Sequence, residues 1–238
     1  ELIRHTVAQA RSEGGALVSV SSGYVDLLDH PRLLHAAVTA DAVLVLERRP
    51  GQFVVAGQVL CRVLPPPAAP PVAHVVAEAI EIGPARTLRQ DLEFAIAQVV
   101  EIAMRALSPA VNDTYTGLTC IDWLGAALVD MGQHPYDTGG WSGDDEQLGL
   151  VVPSLRFDRL IKTAFDTIRQ AGANNPAVLI RLLDSLATLA PMVLPEHRRA
   201  VRDQVDLVME MIRSAPFASG DLDDAERRYD RISPALGG

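Results

Sequence analysis

Residues 86–130, RTLRQDLEFAIAQVVEIAMRALSPAVNDTYTGLTCIDWLGAALVD, carry two apolar helical patterns separated only by a short polar corner, Ser108-Pro109-Ala110-Val111-Asn112-Asp113. At about 100° per residue, the first pattern (Leu88 to Leu107) gathers Leu92, Ala95, Ile96, Val99, Ile102, Ala103, Ala106 and Leu107 on one broad face. Asp91, Gln98, Glu101 and Arg105 form a narrow stripe opposite, with Glu101 and Arg105 at i,i+4 spacing. So wide an apolar sector predicts a helix packed on several sides, at the centre of the core. Glu93 projects to the edge of that sector, near Ala97, Val100 and Met104. A carboxylate there needs a partner, because burying an unpaired charge is costly. Arg86 and Arg89 are the nearest cations in sequence, and a structural ion pair is expected.

The corner follows from local chemistry. Ser108 ends the first helix, and Pro109 disfavours helical geometry for the residue before it. Asn112 or Asp113 then caps the second helix, roughly Thr114 to Asp130, by accepting bonds from its free N–H groups. That helix turns Leu118, Ile121, Leu124, Gly125 and Leu128 to one side. Trp123 points the other way, toward solvent or a partner, and is a candidate interface residue. Two readings of the corner stay open. In one it only caps a helix. In the other, Ser108, Asn112 and Asp113, together with Arg86, Asp91, Glu93 and Asp122, form a small-ligand or cation site of hydrolytic type.

Composition narrows the functions available. The chain has 238 residues, 48% of them hydrophobic, 21% charged and only 5% aromatic, so Leu, Val, Ile and Ala must build the core. A formal charge of −9 argues against nucleic acid or an anionic lipid surface as partner. Lys162 is the only lysine, which leaves no phosphate loop ending in Gly-Lys and no lysine-tethered cofactor outside the middle of a helix. Cys61 and Cys120 read as two small buried hydrophobes and supply no disulfide framework. No apolar run approaches the ~20 residues that span a bilayer, and no signal peptide is expected at Glu1. No cofactor and no metal are assigned.

The rest of the chain reads as α+β, a small N-terminal β-barrel or sandwich module followed by a mostly α-helical domain. Residues 1–13 predict a helix, and the β module spans residues 14–64. Its strands are Ala16–Val20, Tyr24–Leu28, Ala42–Glu47, Gln52–Ala56 and Gln58–Leu64, punctuated by Gly23, Gly51 and Gly57. Asp29 caps a short helix with Pro31 in its first turn, and His30 and His35 are expected on the surface. The turn from Arg49 to Gln58 is similar to loops of biotinyl and lipoyl modules, without their lysine, so that likeness is architectural only. Residues 65–71, rich in proline, predict an extended strut, and the helical domain occupies 72–238. Within it, residues 72–82 lean to helix. Residues 131–150 read as a solvated loop, whose His134, Asp137, Asp144, Asp145 and Glu146 match no metal-site spacing. Gly140-Trp141-Ser142-Gly143 lacks the last glycine of a nucleophile elbow in register. Leu148–Val152 predicts a short strand, and helices follow at Leu155–Gln170, Ala177–Leu189, Pro195–Arg213 and Leu222–Ile232.

The run RTLRQDLEF…EIAMRALSPAVNDTYTGLTCID, with SGYVDLLDHPRLL and RPGQFVVAGQVL upstream, resembles the signature of a bacterial family of predicted membrane proteins, domain of unknown function 2254. Thr114 stands where that pattern leads one to expect proline, and Trp123 where a charged residue is more usual. The resemblance implies several membrane helices ahead of residue 1, with residues 1–13 descending from the last of them. It implies a full-length protein of the cell inner membrane, this part lying on the cytoplasmic side. It supplies no activity. The expectation is therefore a non-catalytic assembly or sensing domain, channel- or transporter-associated, working as a homo-oligomer and held to the membrane by helices outside this chain. An enzymatic role is left open, leaning against one.

Overall fold

The computed structural model describes residues 1–136, 139–143 and 146–236, and the chain divides into two compact units. One unit comprises Glu1–Phe94 with Asp137–Leu155, the other Ala95–Tyr136 with Arg156–Gly238. The acidic positions Asp137, Asp144 and Asp145, weighed above as metal candidates, lie outside the described residues.

The first unit contains α1 (Leu2–Glu13), β1 (Gly15–Val18), β2 (Gly23–Leu28), α2 (His30–Thr39), β3 (Val43–Leu46), β4 (Phe53–Val54), β5 (Val59–Leu64), α3 (Ala69–Ala79) and β6 (Ile80–Gly83). All five expected strands are present. They do not close into a barrel. Among the described residues they form two open sheets, one ordered β4-β2-β6 and antiparallel. The other recruits two strands from far along the chain, β7 (Gly140–Ser142) and β8 (Leu148–Val151), giving the order β1-β5-β3-β8-β7. Among the described residues, only the β3–β8 pairing is parallel. Closure is unnecessary because α2 and α3 cover the apolar faces. Val25, Leu28, Leu33, Leu44, Val63, Val72, Val76, Ile80 and Leu150 fuse the sheets and helices into one core. Val45 and Val151 face the other side of the five-stranded sheet, where Ala10, Ile3 and Val7 of α1 cover them. A sheet buried on both faces explains why β3 reads as the unbroken apolar run Val-Leu-Val-Leu.

The proline run 65–71 is not an extended strut. Pro66–Ala68 form a 3-10 turn, and Pro70 and Pro71 lie in the first turn of α3. A missing N–H costs nothing there, since the first helical N–H groups have no partner within the helix. The undecided stretch 72–82 is helix and then strand, part of the expected loop 131–150 is β7, and the short strand expected at Leu148–Val152 is β8.

The second unit is helical: most of α4 (Leu92–Ala106), α5 (Thr114–Gly132), α6 (Phe157–Ala171), α7 (Pro176–Leu189), α8 (Arg198–Ser214) and α9 (Ser219–Ile232). Its central helix is α7, not α4 as expected. Leu179, Leu182, Leu183, Leu186 and Leu189 are fully buried, and α7 packs against α5, α8 and α9. In α4 the buried side is Ile96, Val100, Ala103 and Ala106, while Leu92 and Ile102 are 37% and 54% exposed. The width of an apolar sector overstated how many of its sides are covered.

Candidate functional site

The segment between β6 and α4 has no regular structure and is held by its side chains. Gln90 donates to the Leu28 carbonyl at 3.1 Å and accepts from the Leu28 N–H at 2.9 Å, so its amide imitates a neighbouring strand. Thr87 donates its hydroxyl to Asp26, and Arg89 reaches both Asp26, at 3.0 Å, and Glu81. The Thr87 hydroxyl, helped by Arg89 and opposed by burial, holds the Asp26 carboxyl below its usual range. Asp91 caps α4, accepting the Phe94 N–H at 3.0 Å. It is also clamped by Arg86, whose Nε and terminal nitrogen lie 2.6 and 2.9 Å from its two oxygens. That pairing raises the Arg86 pKa further, and the guanidinium also sits over the Phe94 ring, 5.1 Å from its centroid.

The turn Arg49-Pro50-Gly51-Gln52 docks against this segment. Gly51 donates to the Val25 carbonyl at 2.8 Å, and the Gln52 carbonyl accepts the Val25 N–H at 3.0 Å. Gly51 has φ +84°, and a Cβ there would lie 2.0 Å from the Asp91 carboxylate. Only glycine lets the backbone come so close. The same turn brings Arg49 to 2.7 Å from Glu93. Asp91, Glu93 and Arg49 are 4%, 7% and 8% exposed. Two expectations change here. Asp91 belongs to the buried cluster and not to a solvated stripe. Glu93 pairs with Arg49, while the anticipated Arg86 and Arg89 are engaged elsewhere. Sequence reading missed Arg49 and Gln90; the signal for Arg49 was the polar Arg-Pro-Gly-Gln turn inside an apolar β module, and Gln90 had no local signal.

The corner belongs to the second unit. Ser108 donates to the Arg105 carbonyl at 2.8 Å, and its own carbonyl accepts the N–H groups of Val111 and Asn112. Asn112 adopts φ +51° to turn the chain, a conformation that asparagine tolerates. Asp113 caps α5: it accepts the Thr116 N–H at 3.1 Å and the Thr116 hydroxyl at 2.6 Å. Those bonds lower its pKa. Asp122 faces Arg181 of α7 at 3.3 Å, with both side chains about half exposed. A cleft of about 470 Å³ opens beside the corner, lined by Ile102, Arg105, Val111, Asp113 and Thr116 among others. On α5, Tyr115 and Trp123 stand 82% and 70% exposed. Thus Arg86, Asp91 and Glu93 form one cluster within the first unit, whereas Ser108, Asn112, Asp113 and Asp122 have separate local partners in the second.

Other candidates are structural. Burial pushes the Cys61 thiol up to about 12, and that of Cys120 is raised for the same reason; both are free and buried. His35 is exposed as expected, but His30 is half-buried and stacks on Trp141, ring centroids 4.9 Å apart. Among the described residues, no three His, Cys, Asp or Glu side chains gather as a metal site.

A model of the family described as "Predicted membrane protein (DUF2254)" matches residues 3–188, which contain both the turn-locked cluster and the corner. The chain belongs to this family. It is 31% identical over 199 residues to an uncharacterized protein of Mycobacterium tuberculosis, an alignment covering 81% of this chain and 38% of the relative. An uncharacterized protein of Mycobacterium bovis matches with the same identity and coverage. The chain therefore aligns with well under half the length of the curated relatives it matches. No solved structure matches it. No helix among the described residues is long and apolar enough to cross a membrane.

Proposed function

We propose that this chain is a non-catalytic assembly or sensing domain of a multi-span bacterial membrane protein, channel- or transporter-associated, acting as a homo-oligomer on the cytoplasmic side of the inner membrane. One observation carries the reading. The acidic residues that a hydrolytic or cation site would use are engaged by the protein itself: Asp91 by Arg86, Glu93 by Arg49, Asp113 by its own helix and Asp122 by Arg181. Family membership supports the membrane setting. The face of α5 that carries Tyr115, Thr119 and Trp123 is exposed, with Asp122 and Asp130 beside these side chains, and aromatic side chains of this kind anchor protein interfaces. A second copy is the occupant this reading requires; two chains of −9 repel one another, so the aromatic patch is where they would meet at least electrostatic cost.

Light scattering on this chain, and on the full-length protein in detergent, tests the reading. Self-association is expected, weakened about tenfold or more by Trp123→Glu. Strict monomers in both preparations at high concentration would overturn it. A second reading, a small-ligand site at the Asn112–Asp113 corner, is favoured only by the cleft there, where Ile102 and Val111 are exposed.

A further inference from the structure

The first unit holds an accumulation of positive charge that the chain's overall acidity conceals. Arg11 of α1, Arg48 just after β3 and Arg62 of β5 converge with Gln58 on an open cleft of about 370 Å³. One carboxylate, Glu47, lies among them. Arg62 reaches it through Nε at 2.8 Å and Arg11 through a terminal nitrogen at 3.3 Å. Arg48 donates to the Glu47 carbonyl at 2.8 Å, and among the described residues it has no acidic partner. Three guanidinium groups against one carboxylate leave a local excess of two positive charges. Burial works against Glu47, yet the hydrogen bonds from Arg62 and Arg11 still hold its pKa below the usual range. It stays ionised and already bound on both oxygens, so it fixes the two arginines in place. Gln58 is oriented too: its side-chain oxygen accepts the Val55 N–H at 3.0 Å, which leaves its amide N–H groups as donors at the rim.

From this placement we infer that the Arg11–Arg48–Arg62 cleft binds a phosphate monoester, carried either by a free small molecule or by a lipid headgroup. The charge excess matches a dianion, which a single carboxylate ligand would not neutralise. The planar fork of a guanidinium also fits two phosphate oxygens at once. Arg62 spends only its Nε on Glu47, and Arg11 and Arg48 spend one terminal nitrogen each, so donors remain on all three. The site is independent of the oligomer proposed above, since it lies wholly within one unit and uses no residue of α5.

The test uses the intact chain and two probes, inorganic phosphate followed by calorimetry, and flotation with vesicles of phosphatidylcholine alone or doped with phosphatidic acid. Arg48→Gln removes one donor without touching Glu47's carboxylate, and Arg11→Gln is a second variant. Arg199→Gln, exposed on α8 in the other unit, is the control for general charge. Circular dichroism checks that each variant folds. Saturable phosphate binding that weakens about tenfold in Arg48→Gln and holds in Arg199→Gln supports the phosphate site, and with no flotation it points to a free small molecule as the carrier. Flotation only with phosphatidic acid, lost in Arg48→Gln and kept in Arg199→Gln, identifies the headgroup. Binding to neither probe, or equal weakening by all three substitutions, overturns the inference.

Discussion

Glu93 and Asp122 look alike on paper, each an acid among apolar neighbours on a helix with arginine as a plausible partner. They end in opposite environments. Glu93 is 7% exposed and faces an equally buried Arg49, whereas Asp122 and Arg181 meet with about half of each side chain in water. A desolvated pair is energetically committed, because either charge left without the other keeps its burial cost. A solvated pair exchanges protein contacts for water at little cost. The family's signature run therefore serves two purposes. In the first unit it locks an irregular segment against the Arg49–Gln52 turn, and in the second it shapes a corner whose charges remain adjustable.

Arg49→Ala should have the largest effect. It withdraws the guanidinium facing Glu93 and leaves that carboxylate buried, at a cost of about 3–5 kcal/mol. Urea unfolding followed by circular dichroism measures this. A loss below about 1 kcal/mol would place the pair in effective contact with water and remove the contrast with Asp122.

A smaller effect is expected at the corner. Asp113→Ala deletes the acceptor for the Thr116 N–H and hydroxyl, and should lower Tm by a few degrees at most. Its pH dependence has a definite sign. The folded-state pKa of Asp113 is lowered by those bonds, so its contribution is complete above the unfolded value of about 3.9 and is lost as pH falls through the folded pKa. Asp113→Asn keeps the cap acceptor and loses the titration. Wild type and Asp113→Asn should therefore melt alike near neutral pH, and the share of acid sensitivity due to residue 113 should vanish in the variant. If Asp113→Asn instead destabilises at neutral pH as much as Asp113→Ala, the carboxylate does more than cap, and the ligand reading of the corner gains.

What the sequence disclosed follows the range of the forces involved. Caps and turns act over three or four residues, so Asp29, Asp113, the five N-terminal strands and the helix–corner–helix at 92–132 were readable. The glycine at 51 marked a corner, but the reason it must be glycine, the carboxylate of Asp91 against its backbone, lies in another segment. Gln90 bonds Leu28 from 62 positions away, and β8, legible as a strand, takes its place beside β3 from far along the chain. No local pattern encodes such partners. The apolar face of α4 was legible as a face, but how much of it would be covered was not, and α7 with its five buried leucines took the centre.

The smallest expected effect sharpens the comparison most, because it asks whether exposure alone separates the two pairs. Asp122→Asn and Arg181→Gln should each change stability by ~0.5 kcal/mol or less, and the double-mutant coupling should be no larger. Both oxygens of Asp122 meet the same Arg181 nitrogen at 3.3 Å, so the contact lacks the two-pronged geometry of Arg86 on Asp91. The pair also bridges α5 and α7, whose packing already rests on buried Leu124, Leu128, Leu182 and Leu186, so its removal should leave the helices in place. Added salt should reduce the small coupling further, since exposed charges are screened. A coupling above about 1 kcal/mol that resists salt would mean that water is excluded from Asp122 in solution, as it would be if a second copy covered the neighbouring Trp123 face.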